Sequence, residues 1–236
     1  MLSLATINQT MAERMAPIRN QTDPGSLLIH EIYRSIQGES SHMGRPCVFI
    51  RTTGCHLRCS YCDTEPAFFR GQILSIDMII ERVAEYGIKV VELTGGEPLL
   101  QAGSFNLLDR LVDLKYTVLL ETSGAVSIAK VNRRVKVILD IKMPSSGEQA
   151  KNVSSNLDIL WHGCEVKFVI ASIEDYQYAK NFCYQHNLFD RIEVLFSPVV
   201  AQIDAKELVD LILNDHLPVR FQLQLHRVLY GEQAGK

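Results

Sequence analysis

Residues 55–62 read Cys-His-Leu-Arg-Cys-Ser-Tyr-Cys, three thiols separated by three and then two residues. A loop of that length can wrap three corners of a cubane iron–sulfur cluster, and thiolates are the soft ligands that such centres select. The missing fourth cysteine carries the most information. A cluster that only relays electrons is normally saturated by four protein thiolates, whereas three leave one iron open to a substrate or cofactor. His56 adjoins Cys55 in the same loop and is awkwardly placed to reach the far side of a metal site, so it reads as a loop residue. A zinc site completed by Cys164 or Cys183 is the competing use of the same thiols.

A second segment reads Glu92-Leu-Thr-Gly-Gly-Glu-Pro-Leu-Leu. Paired glycines after a strand let backbone polar groups approach a ligand closely. Gly95 and Gly96 would present such groups, and Glu97 would accept from a cationic amine. Taken alone, the Gly-Gly turn is only a tight strand-to-helix connection. Beside a three-cysteine loop it gains weight.

Both segments need elements to hold them. Strand-like runs of β-branched and aliphatic residues recur at Leu28–Tyr33, Cys47–Thr52, Ile88–Leu93, Thr117–Glu121, Val135–Ile141, Glu165–Ile170, Ile192–Phe196 and Val219–Leu223. Helical patterns lie between many of them: Ser75–Tyr86, with Ser75 placed to cap, Asp204–Asn214, and weaker ones at Phe105–Leu114 and Ile173–His186. Alternating strands and helices predict a largely parallel α/β sheet with right-handed crossovers. In such sheets and barrels chemistry gathers at the C-terminal ends of the strands. Gly54–Cys62, Thr94–Pro98, Thr122–Gly124 and Lys142–Gly147 each follow a strand, so four polar or metal-binding loops are expected on one edge.

Composition sets the class. The chain of 236 residues, 47% hydrophobic and 22% charged, suits a sizeable single core with a wet surface. A formal charge of −3 and no dense Lys/Arg run argue against a nucleic-acid partner. No apolar stretch approaches the roughly 20 residues needed to span a bilayer, and the first residues lack a signal peptide's apolar core. Three of the six cysteines crowd into eight residues, which favours metal ligation over disulfides and a reducing, cytoplasmic setting. Residues 1–25 are of mixed composition with little periodicity. They read as a poorly ordered N-terminal tail ahead of one domain over 26–236.

Cys-x3-Cys-x2-Cys followed by Gly-Gly-Glu-Pro resembles the radical S-adenosylmethionine superfamily. Ser-Ile-Gln-Gly-Glu at 35–39, Arg51 ahead of Thr-Thr-Gly-Cys, Cys62-Asp-Thr and Thr94 narrow the likeness to the 7-carboxy-7-deazaguanine synthases, over about Leu27 to Tyr230. The resemblance implies an incomplete, distorted parallel (β/α) barrel, acting on 6-carboxy-5,6,7,8-tetrahydropterin with release of ammonia. It implies three cofactors: a [4Fe–4S] cluster on Cys55, Cys59 and Cys62, S-adenosylmethionine, and Mg²⁺ on Thr64. The reduced cluster would cleave the sulfonium to a 5′-deoxyadenosyl radical. Gly96 and Glu97 would hold the methionyl amine, Tyr61 and Asp63 would flank the cofactor, Ser123 would meet its ribose, and Asp140 and Lys142 its charged groups. Gln37, with the backbone of Ile36 and Gly38 and with Glu39, would read the pterin edge. Arg51 would take its carboxylate, Thr94 would touch it near the cofactor, and His226 in Gln-Leu-His-Arg would face it.

The likeness further implies an external electron donor of the flavodoxin kind and a homodimer. A glycyl-radical activase would share the three cysteines, but it leaves the Ser-Ile-Gln-Gly-Glu and Cys-Asp-Thr elements unexplained. A non-enzymatic iron–sulfur or zinc module is the reading from another class. Ser40 stands where the family has a second glycine, Tyr230 where it has a tryptophan, and the leader is longer than the family's.

Overall fold

The protein, a computed structural model, is described over residues 3–231. Its strands are β1 (Ser26–Ile36), β2 (Pro46–Thr52), β3 (Gln72–Ser75), β4 (Val90–Gly95), β5 (Thr117–Thr122), β6 (Lys136–Ile141), β7 (Glu165–Ile170), β8 (Glu193–Pro198) and β9 (Arg220–Phe221). The helices are α1 (Leu4–Ile7), α2 (Met11–Met15), α3 (Ile76–Glu85), α4 (Gly103–Asp113), α5 (Ser155–Asp158), α6 (Ile173–Gln185), α7 (Ala205–Asn214) and α8 (Leu225–Tyr230). The strands form one sheet ordered β3-β1-β2-β4-β5-β6-β7-β8-β9, with β3 and β9 left as free ends. From β2 through β9 every neighbouring pair is parallel. The result is the open, partial parallel barrel that the sequence predicts.

Alternation along the strands separates two faces. Val48, Ile50, Val91, Leu93, Val118, Leu120, Val137, Leu139, Val166, Phe168, Val194 and Phe196 join the main apolar core. The residues between them, Phe49, Arg51, Glu92, Thr94, Glu121, Asp140 and Lys167, line a cavity. Leu107, Leu108 and Leu111 of α4, Ile79 and Val83 of α3, Tyr176 and Ala179 of α6, and Leu208 and Ile212 of α7 complete the core. The helices start where capping chemistry allows: Ser75, Ser172 and Asp204 each accept a hydrogen bond from the first turn that follows.

One strand runs backwards. β1 pairs antiparallel with both β2 and β3, because no helix separates Ile36 from Pro46 to carry the chain back across the sheet. Cα register sets Ile29 opposite Thr52 and Ile36 opposite Pro46. The loop after β1, with Gln37 to Glu39, therefore lies at the N-terminal edge of the parallel strands, opposite the cysteine loop. It crosses under the sheet. The Gln37 N–H donates to the Arg45 carbonyl at 2.8 Å, the Ser40 N–H to Gln222 Oε1 at 2.9 Å, and the Ser41 N–H to the Glu165 carboxylate at 3.2 Å. Ser40 adopts φ +61°, a left-handed conformation that explains a glycine preference at this position. Its hydroxyl accepts from the His42 N–H at 3.1 Å, a local bond that glycine would not provide.

Within the leader, α1 and α2 are followed by a further helical turn at Ala16–Ile18. Thr10 and Glu13 form a reciprocal capping box at the start of α2. Ile18 is buried against Gly54, and Ile7 packs on a small apolar cluster of Cys55, Leu57, Cys59 and Phe68. Three other elements were not expected: β3, the short α5 and the C-terminal α8.

Candidate active site

β2, β4, β5 and β6 deliver their following loops to one edge, as their parallel pairing requires. There Cys55, Cys59 and Cys62 line a cavity of about 470 Å³, a volume in the range of small-molecule sites. Cys55 and Cys59 are buried, and Cys62 is half-buried. Burial pushes all three thiols up, Cys55 to about 12 and Cys62 to about 11. Protons are hard to remove there unless a cation compensates, which is what an iron centre supplies. Cys164 and Cys183 are sunk in the main core instead, which removes them as completing ligands of a zinc site. Cys47 does not line the cavity either, which leaves Cys55, Cys59 and Cys62 as its thiols, the donor set that a cluster with one open iron would use.

Gly95 and Gly96 pack as a cradle. A Cβ on Gly95 would lie 2.4 Å from the Thr52 amide nitrogen and carbonyl oxygen, and one on Gly96 would lie 2.2 Å from the Gly54 carbonyl oxygen. Gly95 also holds φ +139°. Neither position tolerates a side chain, and both line the cavity. Glu97 does not line it. Its carboxylate is fully buried and accepts from the Leu99 N–H, the Thr122 hydroxyl, and the amide and hydroxyl of Ser123. Its oxygens organise the β5 loop and place Ser123.

Asp140 keeps an acceptor open. Its Oδ2 accepts from Lys142 Nζ at 2.8 Å, while its buried Oδ1 has no hydrogen-bond partner among the described residues. Burial would pull Lys142 down, but Asp140, Cys59 and Tyr61 together raise it well above its ordinary value. The Tyr61 hydroxyl donates to the Val169 carbonyl at 3.3 Å, closing the wall between the cysteine loop and β7. The Thr64 hydroxyl donates to Asp63 Oδ1 at 2.8 Å, which leaves its oxygen lone pairs for a hard cation.

The floor is built from the reversed side. Gln37 is spent on scaffolding: its amide donates to Glu92 and accepts from the Glu39 N–H at 3.0 Å. Gly38 does not line the cavity. It lies against α8, whose Leu225 N–H donates to the Gly38 carbonyl at 3.0 Å, and a Cβ there would sit 2.1 Å from His226 Nδ1. That contact holds His226 in the cavity wall. Gln224 joins the two ends of the site, donating to Glu39 at 2.7 Å and to Asp63 at 3.5 Å. Arg51 projects from β2 beside Thr94 of β4, with Nε on Glu31 at 2.8 Å and Nη2 on the Tyr33 hydroxyl at 2.8 Å. Ile36, Glu39, Arg51, Thr94 and His226 share this cavity with Tyr61, Asp63, Thr64, Ser123, Asp140 and Lys142.

The motifs do not reveal the centre of this floor. Lys167, with its side chain 5% exposed, bonds Glu39 at 2.7 Å and Glu121, and stands 3.9 Å from Asp140. Burial opposes its charge, yet Glu121 and Glu39 raise its pKa well above 10.5. The signal was present in Glu165-Val-Lys-Phe, where polar residues alternate with apolar ones on a strand that a two-sided core would make uniformly apolar. Glu92 was equally hidden. Burial first, then the negative charges of Glu121 and Glu39, pushes its carboxyl well above 4.5. A raised carboxyl stabilises the fold below 4.5, and that contribution is lost as pH climbs towards the folded value, by about 1.4 kcal/mol per unit. Glu92→Gln keeps an acceptor for Gln37 and abolishes the slope. Thermal melts from pH 5 upward are expected to show a mutant advantage that grows with pH.

Among the described residues no helix is long and apolar enough to cross a membrane. The Radical SAM superfamily model matches residues 49–143, the stretch from β2 through the loop after β6. The open parallel sheet and the three cavity-lining thiols thus define a radical S-adenosylmethionine protein, with a [4Fe–4S] cluster and S-adenosylmethionine as the cofactors of that class. The 7-carboxy-7-deazaguanine synthase of Chlorobaculum tepidum is 44% identical over 211 residues, covering 88% of this chain and 96% of that protein. The synthase of Koribacter versatilis is 42% identical, covering 87% and 98%. This chain belongs to the 7-carboxy-7-deazaguanine synthase family. The crystal structure of QueE from Escherichia coli superposes with a TM-score of 0.69 over 93% of this chain and all of that one; at 18% identity this likeness speaks for the fold.

Proposed function

We propose that this protein converts 6-carboxy-5,6,7,8-tetrahydropterin to 7-carboxy-7-deazaguanine, releasing ammonia, in deazapurine biosynthesis. The observation that carries the reading is one cavity with two chemically distinct ends. Three thiols and a glycine cradle line one end, and a fixed array of carboxylates, a lysine and an arginine forms its floor. Cofactor and pterin would meet where Thr94 separates them. When bound, the reduced cluster with S-adenosylmethionine supplies a carbon radical that takes a hydrogen atom from the substrate, and the protein aims it and keeps water away.

Cys55, Cys59 and Cys62 hold the cluster. The Gly96 backbone, Tyr61, Asp63, Ser123, Asp140 and Lys142 hold the cofactor, with Asp140 Oδ1 offered to its ammonium group. Glu39, fixed by Lys167 and Gln224, accepts from the amine edge of the pterin, while Gln37 and the Ile36–Gly38 backbone set the depth of the floor. Thr64 contributes one hard oxygen to a magnesium ion, most of whose shell would be water and substrate. A flavodoxin-like donor, a homodimer and a cytoplasmic setting belong to the same reading.

Arg51 receives the substrate carboxylate through the part of its guanidinium not taken by Glu31 and Tyr33. Arg51→Ala is expected to leave iron content unchanged and to raise KM about 10- to 100-fold, the worth of a charge-assisted hydrogen bond. An unchanged KM would take Arg51 out of the pocket. The direct test is an anaerobic assay of reconstituted enzyme with dithionite, Mg²⁺, S-adenosylmethionine and the tetrahydropterin, read by mass spectrometry. The deazaguanine together with 5′-deoxyadenosine is the expected outcome. Neither product from protein that holds an intact cluster would defeat the proposal.

A further inference from the structure

Arg58, between the first two cysteines, is among the largest fully buried side chains and is 2% exposed. Its Nη1 donates to the carbonyls of Cys55 at 2.8 Å and Leu57 at 2.7 Å, and its Nε donates to Gln9 Oε1 at 2.9 Å. The guanidinium stacks over the Phe68 ring, 4.1 Å from its centroid. Its Nη2 is buried without a partner, and no carboxylate among the described residues forms an ion pair with it. Glu148 is near, but its Oε1 accepts from the Arg58 backbone N–H at 2.7 Å and pairs with Arg14 of the leader at 2.7 Å. Arg14 also donates to the His56 carbonyl at 3.1 Å and to the Ile7 and Gln9 carbonyls at 2.9 Å. The Cys55–Cys59 arm is thus gripped from outside by Gln9, Arg14 and Glu148.

A buried cation without a counter-ion is costly, and a loop of three thiolates is where such a counter-ion would arise. We propose that Arg58, held by the leader clamp, is a positioning residue whose fixed charge offsets the anionic cluster and favours its one-electron reduction. The inference rests on the cluster reading above. A cubane with three thiolates carries net charge −1 when oxidised and −2 when reduced, so a nearby fixed cation stabilises the reduced form more. No bond forms or breaks in this step: one electron passes from the reductant to the cluster. Arg14 serves the same end by neutralising Glu148, whose charge would otherwise oppose that of Arg58.

The test is an anaerobic dithionite titration of the reconstituted full-length protein, followed by electron paramagnetic resonance, with iron counted per chain. Arg58→Gln is expected to retain iron and to shift the electron-accepting equilibrium at least tenfold towards the oxidised form, about 59 mV for one electron. Arg58→Lys, which keeps the charge, is expected to remain near the wild type. Arg14→Gln should shift the equilibrium the same way by less, and adding Glu148→Gln should bring it back. Wild-type potentials in Arg58→Gln and Arg14→Gln would overturn the proposal, as would Arg58→Lys shifting as far as Arg58→Gln. Should Arg58→Gln fail to hold iron, the Arg14 and Glu148 pair decides the question by itself. A wild-type protein that takes up no cluster would instead overturn the reading beneath it.

Discussion

Cys59→Ala is expected to fold, to bind at most a trace of iron after anaerobic reconstitution, and to produce neither deoxyadenosine nor deazaguanine. Cys59 sits between the other two ligands, and its neighbours are committed elsewhere: the Ser60 N–H donates to the Ser146 carbonyl at 3.0 Å and its hydroxyl to the Ser145 carbonyl at 2.6 Å. No other thiol is positioned to replace it, since Cys47, Cys164 and Cys183 are buried away from the cavity. The fold should survive because Cys59 belongs to a small satellite cluster, not to the main core. Iron content, the absorbance of the cluster and circular dichroism together separate loss of the cluster from loss of the fold. Full activity in this variant would sink the central assignment.

Lys167→Met carries the largest expected cost in stability, about 3–5 kcal/mol, the usual penalty for removing one partner of a buried ionic group. It would leave Glu39, Glu121 and Asp140 facing one another beneath the cavity without their shared cation. Burial alone would push the Glu121 carboxyl up, and Lys167 overrides it and holds the carboxyl below 4.5. That contribution is present above 4.5 and is lost as pH falls through the lowered value. The part due to the raised Lys167 is complete below 10.5 and is lost only above it. The deficit of the mutant should therefore be full across neutral pH and should shrink towards strong acid. Urea denaturation at pH 7 and at pH 4 provides the check: equal deficits at both would mean that the network does not work through charge.

Much of this was legible in the residues. Eight of the strands announce themselves as apolar runs, and the cysteine, Gly-Gly-Glu-Pro and Ser-Ile-Gln-Gly-Glu segments supply 12 of the 35 residues that line the cavity. β3 escaped because it has four residues and only Leu74 buried. α8 escaped because no side chain caps it and Val228 and Leu229 face solvent, so it lacks an apolar stripe. The start of α2 was written in Thr10-Met-Ala-Glu13, a capping signature too short to outweigh the mixed composition around it. The partners of Glu97 were not legible because motif position says nothing of side-chain direction, and Thr122 and Ser123, which claim its oxygens, are 25 and 26 residues away. Lys167, Glu92 and Arg58 stayed hidden for a related reason. Their hydrogen-bond partners lie 46 and 128 residues away for Lys167, 55 for Glu92 and 49 for Arg58, and only the sheet register and the folded leader bring them together.

The backward course of β1 gives the site two separate owners. In the proposed reading the loops at one rim of the sheet serve radical generation, while a segment threaded beneath the other contributes part of the grip on the substrate. Gln224 and Arg227 tie the two together through Glu39 and through Asp63, the neighbour of Cys62, so a change at one rim is felt at the other. A scaffold wired in this way couples what fits to how the radical is struck.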